Sequence, residues 1–525
     1  MNLFKNKRRK FGKNIMHVQK EEKQEEPKSQ NNDQFSKVAA HNLQRFEELF
    51  HYPTNDSLKS RKLFSPSINR SVILLFIGGA ANTDVIRENI IKPLIKRQNH
   101  TVDEKNIIDK VRQNILTVAS GKIVCTFDIA VQGLLNGNTL ILIDGERDAL
   151  LVDTTGFEER AISEPTAETV VRGPRSAFVE SADVNLSLIR RQLKDHQLIK
   201  EPIHVGSRAP QEVSVLYLAD VADEKLVNNV KDRLANVDHE AILTLNILEE
   251  LIEERPYSLF PSLLTTERPD RTCSFLMEGH VVMLMDNSPD ALVAPVTFWQ
   301  LFHTAEDTFL RWAYGNFSRI TRLLCLIIAM LMPSVFLAVT TFHPEMIPTD
   351  LMLAISGSRE RIPFPTLWEI LLMEITFEIL REAGIRVPNP LGATIGIVGA
   401  LILGQAAVEA NLVSSIMIII VAITGLASFA IPDLGLSVIV RILRFGFLFA
   451  ANFFGFIGIA LGMAALLTYA ASLKSFGVPF FAPLAPYYPS SHDMFWRTII
   501  KKMRVRPLSL HPKQKYRMDK GGKNS

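Results

Sequence analysis

An uncharged apolar run over residues 323–342 is the feature that most constrains the fold. Its length matches the ~20 residues that an α-helix needs to cross the ~30 Å hydrocarbon core of a bilayer. Arg319 and Arg322 come just before it, as expected for a helix that enters from the cytoplasmic side. Further apolar runs predict three more spans, at residues 390–408, 412–431 and 445–471. We therefore expect residues 319–488 to form an all-α, polytopic domain in the lipid bilayer.

The part of the chain before this domain has the composition of a soluble protein. The 525 residues are 47% apolar and 22% charged, and the apolar excess lies after Arg322. A single hydrophobic core stops growing at roughly 250–300 residues, so more than one unit is expected. Alternating strand and helix patterns indicate two α/β lobes, at residues 38–195 and 196–318. Two polar tails complete the predicted organisation, a disordered one at 1–37 and a basic one at 489–525.

Turn residues place two elements of the first lobe. Residues 71–79 form an apolar run that ends in Gly-Gly, and Asn82 then supplies a capping oxygen for a helix. Asp144 and Gly145 separate two apolar runs and predict a tight hairpin. A glycine-rich turn before a helix can bind phosphate, but the GxxxxGKS/T and GxGxxG patterns are absent. We interpret the Gly-Gly turn as structural.

The composition argues against several functional classes. The net charge is only +3 and the basic residues are matched by acids, so the composition does not indicate a basic surface that would bind nucleic acid. The three cysteines, Cys125, Cys273 and Cys325, lack a CxxC or histidine pattern, which argues against a zinc site and favours a reducing compartment. No HExxH, GxSxG or Walker motif is present, so we expect neither an enzyme nor a bound cofactor or metal. The basic N-terminal block precedes a polar stretch rather than an apolar one, so we expect the soluble lobes to stay in the cytoplasm.

One membrane segment, residues 366–384, is apolar but contains four acids: Glu369, Glu374, Glu378 and Glu382. At about 100° per residue, the last three fall within an arc of roughly 80° on a helix. A carboxylate at the bilayer centre costs at least ~2.5–3.5 kcal/mol on insertion scales, so such groups usually face water, a cavity or a partner. The segment is therefore not an ordinary span.

Two interpretations of these acids stay open at this point. In the first, Glu374 and Glu378 line a path for cations. In the second, the segment is an amphipathic helix at the membrane interface, and Glu378 and Glu382 pair with Arg381 and Arg386.

Small residues recur every four positions in two of the predicted spans and favour close helix packing. In the second span they are Gly392, Gly396, Ala400 and Gly404. In the fourth span they are the pairs Ala451 with Gly455 and Gly458 with Gly462. Gln405 and Glu409 lie one turn apart near the end of the second span, where they either line a pore or mark the membrane boundary. We expect tight packing within or between subunits.

The charges around the predicted spans conflict over the topology. The turn 409–411 has no Lys or Arg and should face away from the cytoplasm. Arg441 and Arg444 place the start of the fourth span inside, and the basic stretch 501–506 places the C-terminus inside as well. Both hold only if another segment crosses or re-enters the membrane. Residues 475–488, rich in proline and aromatic side chains, are our candidate for that segment.

Over residues 71–489 the chain resembles the A subunits of bacterial spore germinant receptors, the GerA-type spore germination proteins. The resemblance rests on nine segments, among them EPTAETVVRGPRSAFVE, EGHVVMLMDNSP and GIVGALILGQAAVEANLVS. The nine lie in order at 164–180, 185–191, 266–270, 278–289, 342–348, 361–365, 380–388, 396–414 and 475–483. The chain departs from the family pattern at His280 and Asn287, where we expect Arg and Gly, and at Ser176-Ala177, where we expect Glu-Gly.

The resemblance implies a multi-pass subunit in the inner membrane of a bacterial spore, with its N-terminal domain on the cytoplasmic, core side. It also implies two partners, a transporter-like B subunit and a lipoprotein C subunit. A homo-oligomer of this chain would then be the nutrient-gated, ion-conducting component whose opening triggers germination. The alternative is a non-conducting scaffold that relays the signal within the receptor.

Overall fold

The computed structural model describes residues 34–96, 107–117, 121–156, 164–386, 404–488 and 493–517. These residues contain two five-stranded antiparallel sheets followed by long apolar helices. The strands of the first sheet are β1 Leu58–Ser65, β2 Arg70–Ile77, β3 Gly121–Val124, β4 Thr139–Ile143 and β5 Ala149–Val152. Those of the second are β6 Leu198–Val205, β7 Gln211–Leu218, β8 Leu264–Thr266, β9 Val281–Met285 and β10 Ala291–Ala294. A short hairpin, β11 Lys474–Ser475 with β12 Val478–Pro479, follows the last long helix.

The longer helices are α1 Ala39–Leu49, α2 Phe127–Leu135, α3 Ala182–Gln192, α4 Glu224–Ala235, α5 Leu245–Ile252, α6 Pro269–Glu278, α7 Trp312–Phe342, α8 Thr349–Arg359, α9 Thr366–Arg386, α10 Ser415–Phe429 and α11 Leu434–Ser472. Shorter helical turns lie at Thr83–Val85, Ile86–Ile91, Lys92–Ile95, Ile107–Lys110, Val111–Ile115, Phe298–Phe302, Glu306–Phe309, Pro344–Met346, Ile500–Lys502 and Leu508–Leu510.

The first lobe is a sheet of order β1-β2-β4-β5-β3 covered on both faces. Its central strands β2, β4 and β5 are mostly buried, because α1 and α2 pack on one face and the helical turns at 83–95 and 107–115 pack on the other. The predicted hairpin at Gly145 is confirmed, and its φ of +92° explains the glycine. Asn82 caps the following helix by accepting hydrogen bonds from the backbone N–H groups of Asp84 and Val85.

The N-terminal boundary of this lobe differs from the predicted one. Phe35 falls within the predicted disordered tail at 1–37, yet its side chain is buried against Phe46 and Phe127. The packed region therefore begins before residue 38, because one aromatic ring in a polar stretch suffices to attach it to the core. Residues 1–33 lie outside the described part of the chain.

The second lobe is a sheet of order β6-β7-β9-β10-β8, with α3 and α6 on one face and α4 and α5 on the other. Because α3 packs on this sheet, the second lobe begins before the predicted boundary at 195/196. The two lobes are in contact. The buried guanidinium of Arg190, on α3, donates to the carbonyl of Gly78 at 2.7 Å and to the Ser57 hydroxyl.

Asn287 occupies the turn after β9 with a φ of +62°. This is the left-handed region that favours glycine and that asparagine tolerates better than most other residues. The departure from the family pattern at this position therefore preserves the turn.

Among the described helices, α7 and α11 are long and apolar enough to cross a membrane, with 31 and 39 residues, and α10 is a shorter apolar helix of 15. These contain three of the four predicted spans. The second predicted span, 390–408, lies mostly outside the described residues, and so do Gly392, Gly396 and Ala400. Pro333 lies inside α7 as expected.

Helix α11 is a hairpin of two helical arms, a first arm at residues 434–454 and a second arm at residues 456–472. At Gly455 the backbone has φ +57° and ψ −136°, which is not helical. A Cβ added at Gly458 would lie 2.0 Å from the carbonyl oxygen of Ala450, and one at Gly462 would lie 3.0 Å from the Phe447 ring. Such contacts arise only if the second arm folds back along the first. The prediction of a single span over 445–471 is thus wrong, since a glycine-only conformation divides it.

The chain direction of the helices follows from their contacts. The first arm of α11 runs parallel to α7, because Arg444 donates to the carbonyl of Ala329 at 2.8 Å and Gly455 lies against Phe342, the last residue of α7. The second arm returns to the second lobe, where the Tyr469 hydroxyl lies 3.1 Å from Ser258 Oγ. Both ends of the α11 hairpin therefore lie on the side of the soluble lobes.

Candidate ion-path site

The centre of the helical part holds a buried ion pair between two helices. Glu374 lies midway along α9 and Arg444 midway along the first arm of α11, and their side chains are 1% and 3% exposed. The Arg444 guanidinium donates to Glu374 Oε2, while its Nε–H donates to Ala329 on α7. Three helices thus meet at this one guanidinium.

A second pair lies one turn away along the same two helices. Arg441 donates to Glu378 Oε2 at 2.6 Å, and both side chains are partly exposed. The four-residue step between the acids and the three-residue step between the arginines match the repeat of facing helices, so the two pairs form a ladder. Glu378 pairs with Arg441 here, a partner that the second sequence interpretation did not include. The side chain of Arg386, which that interpretation did include, lies outside the described residues.

Two more polar contacts connect α9 to α10. Near the start of α9, Glu369 accepts a hydrogen bond from the backbone N–H of Ser414 at 2.6 Å. Near its end, Arg381 donates to the Ser428 hydroxyl at 2.5 Å. Since residue numbers rise together along both helices, α9 and α10 run parallel. Glu369 also lies 3.5 Å from the guanidinium of Arg359 on α8.

The two ladder carboxylates keep unused hydrogen-bonding capacity. The Oε1 atoms of Glu374 and Glu378 are buried and make no hydrogen bond to any described residue, and neither does Nη2 of Arg444. A buried polar atom without a partner is costly, so such atoms need a reason in a native structure. A carboxylate oxygen can accept a hydrogen bond from water or coordinate a cation, whereas a guanidinium N–H can only donate.

The other predicted site residues that the structure describes lie away from this ladder. Gln405 donates to Glu409 at 3.0 Å, and both are exposed. Gly404 is buried against Ile418 of α10, and Gly458 and Gly462 let the two arms of α11 approach. The sequence reasoning treated Arg441 and Arg444 as topological signals only. Their spacing, complementary to that of Glu374 and Glu378, is the signal that could have identified them as partners.

The junction between the soluble lobes and α7 contains a second charged cluster. Asp307 accepts from Arg319 at 2.9 Å and from Arg322 at 2.5 Å, and Arg319 also pairs with Asp493 of the C-terminal tail. Burial alone would raise the pKa of Asp307, but the two arginines outweigh it and hold the pKa below its usual value. This cluster attaches the first apolar helix to both the second lobe and the tail.

An open cavity of about 590 Å³ lies beside this cluster, between the second lobe and the ends of the apolar helices. Its lining includes Glu168, Arg271, Tyr314, Arg322 and Pro432. The arginines are already paired there, because Arg271 donates to Glu168 at 2.8 Å and Arg322 to Asp307. No group of His, Cys, Asp and Glu side chains suited to a metal ion is found among the described residues.

Two α/β lobes joined to packed apolar helices, with ion pairs inside the helical layer, define a membrane-associated protein with a large soluble region. The chain belongs to the Bacillus/Clostridium GerA spore germination protein family, whose model matches residues 44–509. The family resemblance of the sequence motifs is thereby confirmed.

Individual relatives are similar over most of their length. Spore germination protein KA of Bacillus subtilis (strain 168) is 39% identical over 448 residues, which cover 85% of this chain and 82% of that protein. Spore germination protein A1 of the same organism is 38% identical over 431 residues, or 82% and 87% of the two chains. The crystal structure of the N-terminal domain of the A subunit of the Bacillus megaterium spore germinant receptor GerK3 is 24% identical, with a TM-score of 0.41, and covers 51% of this chain and 99% of that chain.

Proposed function

We propose that this chain is the A subunit of a spore germinant receptor and, as a homo-oligomer in the spore inner membrane, forms its nutrient-gated cation path. Its partners would be a transporter-like B subunit that holds the nutrient and a lipoprotein C subunit. The observation that carries the proposal is the ladder of Glu374, Glu378, Arg441 and Arg444 inside apolar helices.

Charged side chains in membrane helices are rare, and they mark ion pathways or pair with one another. In the structure the two carboxylates are neutralised by arginines, so this conformation corresponds to a closed path. Separation of α9 from the first arm of α11 would expose two carboxylates at adjacent levels. Nutrient binding would open the path if the nutrient-bound B subunit favours the open state over the closed one more than the nutrient-free B subunit does.

The helix directions support a membrane placement in which both termini lie on the core side. α7 leaves the soluble lobes, α9 and α10 both run back toward them, and α11 crosses twice. The span predicted from the sequence at residues 390–408 lies mostly outside the described residues, and with it the proposed number of crossings is six. An even number reconciles the arginines before residue 445 with the basic tail, which the sequence alone left in conflict.

Thiol labelling tests this placement. His343→Cys lies beyond the end of α7, whereas Lys513→Cys lies in the tail against the second lobe. In spheroplasts of the expression host, a membrane-impermeant maleimide should label the first site from outside and the second only after permeabilisation. Labelling of both sites from the same side would contradict six crossings.

Ion flux tests the proposed conduction. The full chain, reconstituted in liposomes together with the B and C subunits, should pass monovalent cations when the nutrient is added, and the double variant Glu374→Gln/Glu378→Gln should change the cation selectivity at least several-fold. Glu345→Gln, at an exposed site beyond α7, is the matched control and should behave as the native chain. Because the lone Arg444 left behind could disturb folding, the neutral pair Glu374→Gln/Arg444→Gln is measured alongside it. Unchanged flux and selectivity in both Glu374 variants, with normal assembly, would remove the ladder from the mechanism.

The second candidate function is a non-conducting scaffold. The contacts between the soluble lobes and the helices favour it, since Tyr469, Ser475 and Arg497 all bond to the second lobe or the segment that follows it. Such a scaffold would relay a signal without a pore. Absence of flux through the oligomeric chain, together with loss of germination when these contacts are cut, would support it over conduction.

A further inference from the structure

We propose that residues 495–504 of the C-terminal tail form a membrane-surface anchor that binds anionic phospholipid headgroups beside the start of α7. The inference rests on the membrane placement proposed above and adds a lipid contact that the channel hypothesis does not require.

A single buried arginine holds this segment in place. The side chain of Arg497 is buried and donates to the carbonyls of Asp307 and Leu310, at 3.2 Å for the latter. The side chain of Asn316 accepts from the Arg497 N–H at 2.7 Å and donates to its carbonyl at 3.2 Å, and the Trp312 indole donates to the same carbonyl at 2.6 Å. The backbone at Arg497 is thus fixed to the first turns of α7.

The residues on either side of Arg497 expose apolar side chains instead of burying them. Trp496 is 56% exposed and Ile500 63%, and Phe495 and Ile499 are exposed as well. Four large apolar side chains in six residues make a contiguous patch, which a soluble surface seldom carries without a binding role.

Basic residues follow the patch directly. Lys501, Lys502 and Arg504 are exposed. Apolar and aromatic side chains beside clustered lysines are the composition of segments that lie in the interface of anionic membranes. An isologous contact with a second copy is disfavoured, because it would bring the same cations together.

The distance of this segment from the predicted hydrocarbon core is also consistent with a membrane-surface anchor. Asn316, which holds Arg497, lies seven residues before the uncharged run that starts at Leu323, or about 10 Å along a helix. The polar layer on each side of the hydrocarbon core is roughly 5–7 Å thick. Side chains of the size of Trp496 therefore reach that layer, where tryptophan and tyrosine are enriched.

Spin labels on the full-length chain test the anchor. In a background without native cysteines, single cysteines are placed at Ile499 and Ile500, at Leu324 on α7 as the bilayer control, and at Ile129 on α2 as the aqueous control, and all four sites are exposed. Collision rates with oxygen and with a water-soluble nickel complex are then compared in vesicles of phosphatidylcholine with and without phosphatidylglycerol.

We expect the oxygen-to-nickel collision ratio at residues 499 and 500 to lie near that of Leu324 and well above that of Ile129. Lys501→Gln/Lys502→Gln should lower it about twofold or more, and only in vesicles that contain phosphatidylglycerol. A ratio like that of Ile129 would overturn the anchor, and so would protection from both reagents, which indicates a protein contact. If the anchor fails in either of these ways while the label at Leu324 collides mainly with oxygen, the proposed membrane placement still holds. If the label at Leu324 collides mainly with the nickel complex, the membrane placement itself is contradicted.

Discussion

The carboxylate of Glu374 accepts a hydrogen bond from the guanidinium of Arg444, seventy positions further along the chain, with both side chains buried between three helices. Breaking a buried pair by removing one partner typically costs about 3–5 kcal/mol, because the other charge is left uncompensated. The pair therefore contributes to the stability of the helical layer.

Removing one member of this pair should destabilise the protein more than removing both. We expect Arg444→Gln to lower the free energy of unfolding by about 3 kcal/mol or more, and Glu374→Gln/Arg444→Gln to recover a good part of that loss. Thermal unfolding in detergent measures the difference. The more exposed pair of Glu378 and Arg441 is the internal control and should show a smaller coupling. Equal losses in the single and double variants would show that the pair does not act as a unit.

The break at Gly455 should be required for the α11 hairpin. Gly455→Ala places a Cβ in a glycine-only conformation, 3.1 Å from the Phe342 ring, and should cost about 1–3 kcal/mol. Gly446→Ala, in the same helix with nothing within 4 Å of the added Cβ, should be neutral or slightly stabilising. Unfolding midpoints and resistance to proteolysis compare the two variants. Equal behaviour would mean that the chain passes Gly455 as a continuous helix.

The effect of substitutions at Asn287 on stability should depend on how well each residue tolerates the positive φ of this turn. Asn287→Gly relieves the left-handed strain and should stabilise the second lobe by a few tenths of a kcal/mol, while Asn287→Val should destabilise it by about 1–2 kcal/mol. Chemical unfolding of the full chain measures both. A stabilising valine would contradict the positive φ at this position.

Two buried histidines should make stability depend on pH. Burial lowers the pKa of His280 to about 4, with Gln300 and the carbonyl of Phe275 as its partners, and burial together with Arg319 lowers the pKa of His303 to about 4. A depressed histidine pKa means that the folded state favours the neutral ring. The stability is therefore fully present above about pH 6.5 and is lost as the pH falls from there to about 4.

The His280→Gln variant isolates that effect, since glutamine can keep a hydrogen bond without acquiring a charge. Its melting temperature should fall less than that of the native chain between pH 7 and pH 4.5. Parallel profiles for the two proteins would show that His280 does not bind its proton more weakly in the folded state.

Glu249 should make the stability of the protein depend on pH in the opposite direction. Burial, with Glu253 next to it, raises the pKa of Glu249 to about 7, so the folded state binds this proton more tightly than the unfolded one. The resulting stability is present at low pH and is lost as the pH rises from about 4.5 to about 7. Glu249→Gln should therefore raise the melting temperature at pH 8 and leave it nearly unchanged at pH 4.5. A gain of the same size at both pH values would contradict the shifted pKa.

Local patterns in the sequence were enough for much of the architecture. Three of these patterns are the apolar run before Gly79, the Asp144-Gly145 turn and the uncharged run after Arg322. Each reflects hydrophobicity or backbone preference within a short stretch of sequence, and the structure contains the element that each predicts. The acids of the segment 366–384 were also singled out from the sequence, and the structure pairs two of them with arginines of α11. These features depend on neighbours in the chain and can be read from it directly.

The partners of those acids depended on tertiary structure alone. Glu374 and Glu378 meet Arg444 and Arg441 across separations of 70 and 63 residues, and no local period reports a contact of that range. The same holds for Gly455, which the sequence placed in a small-residue face and the packing uses as a turn. The amino-acid sequence by itself thus determined which segments are apolar and where charges interrupt them. Only the folded chain decided which charges neutralise one another, because that depends on how helices distant in sequence pack together.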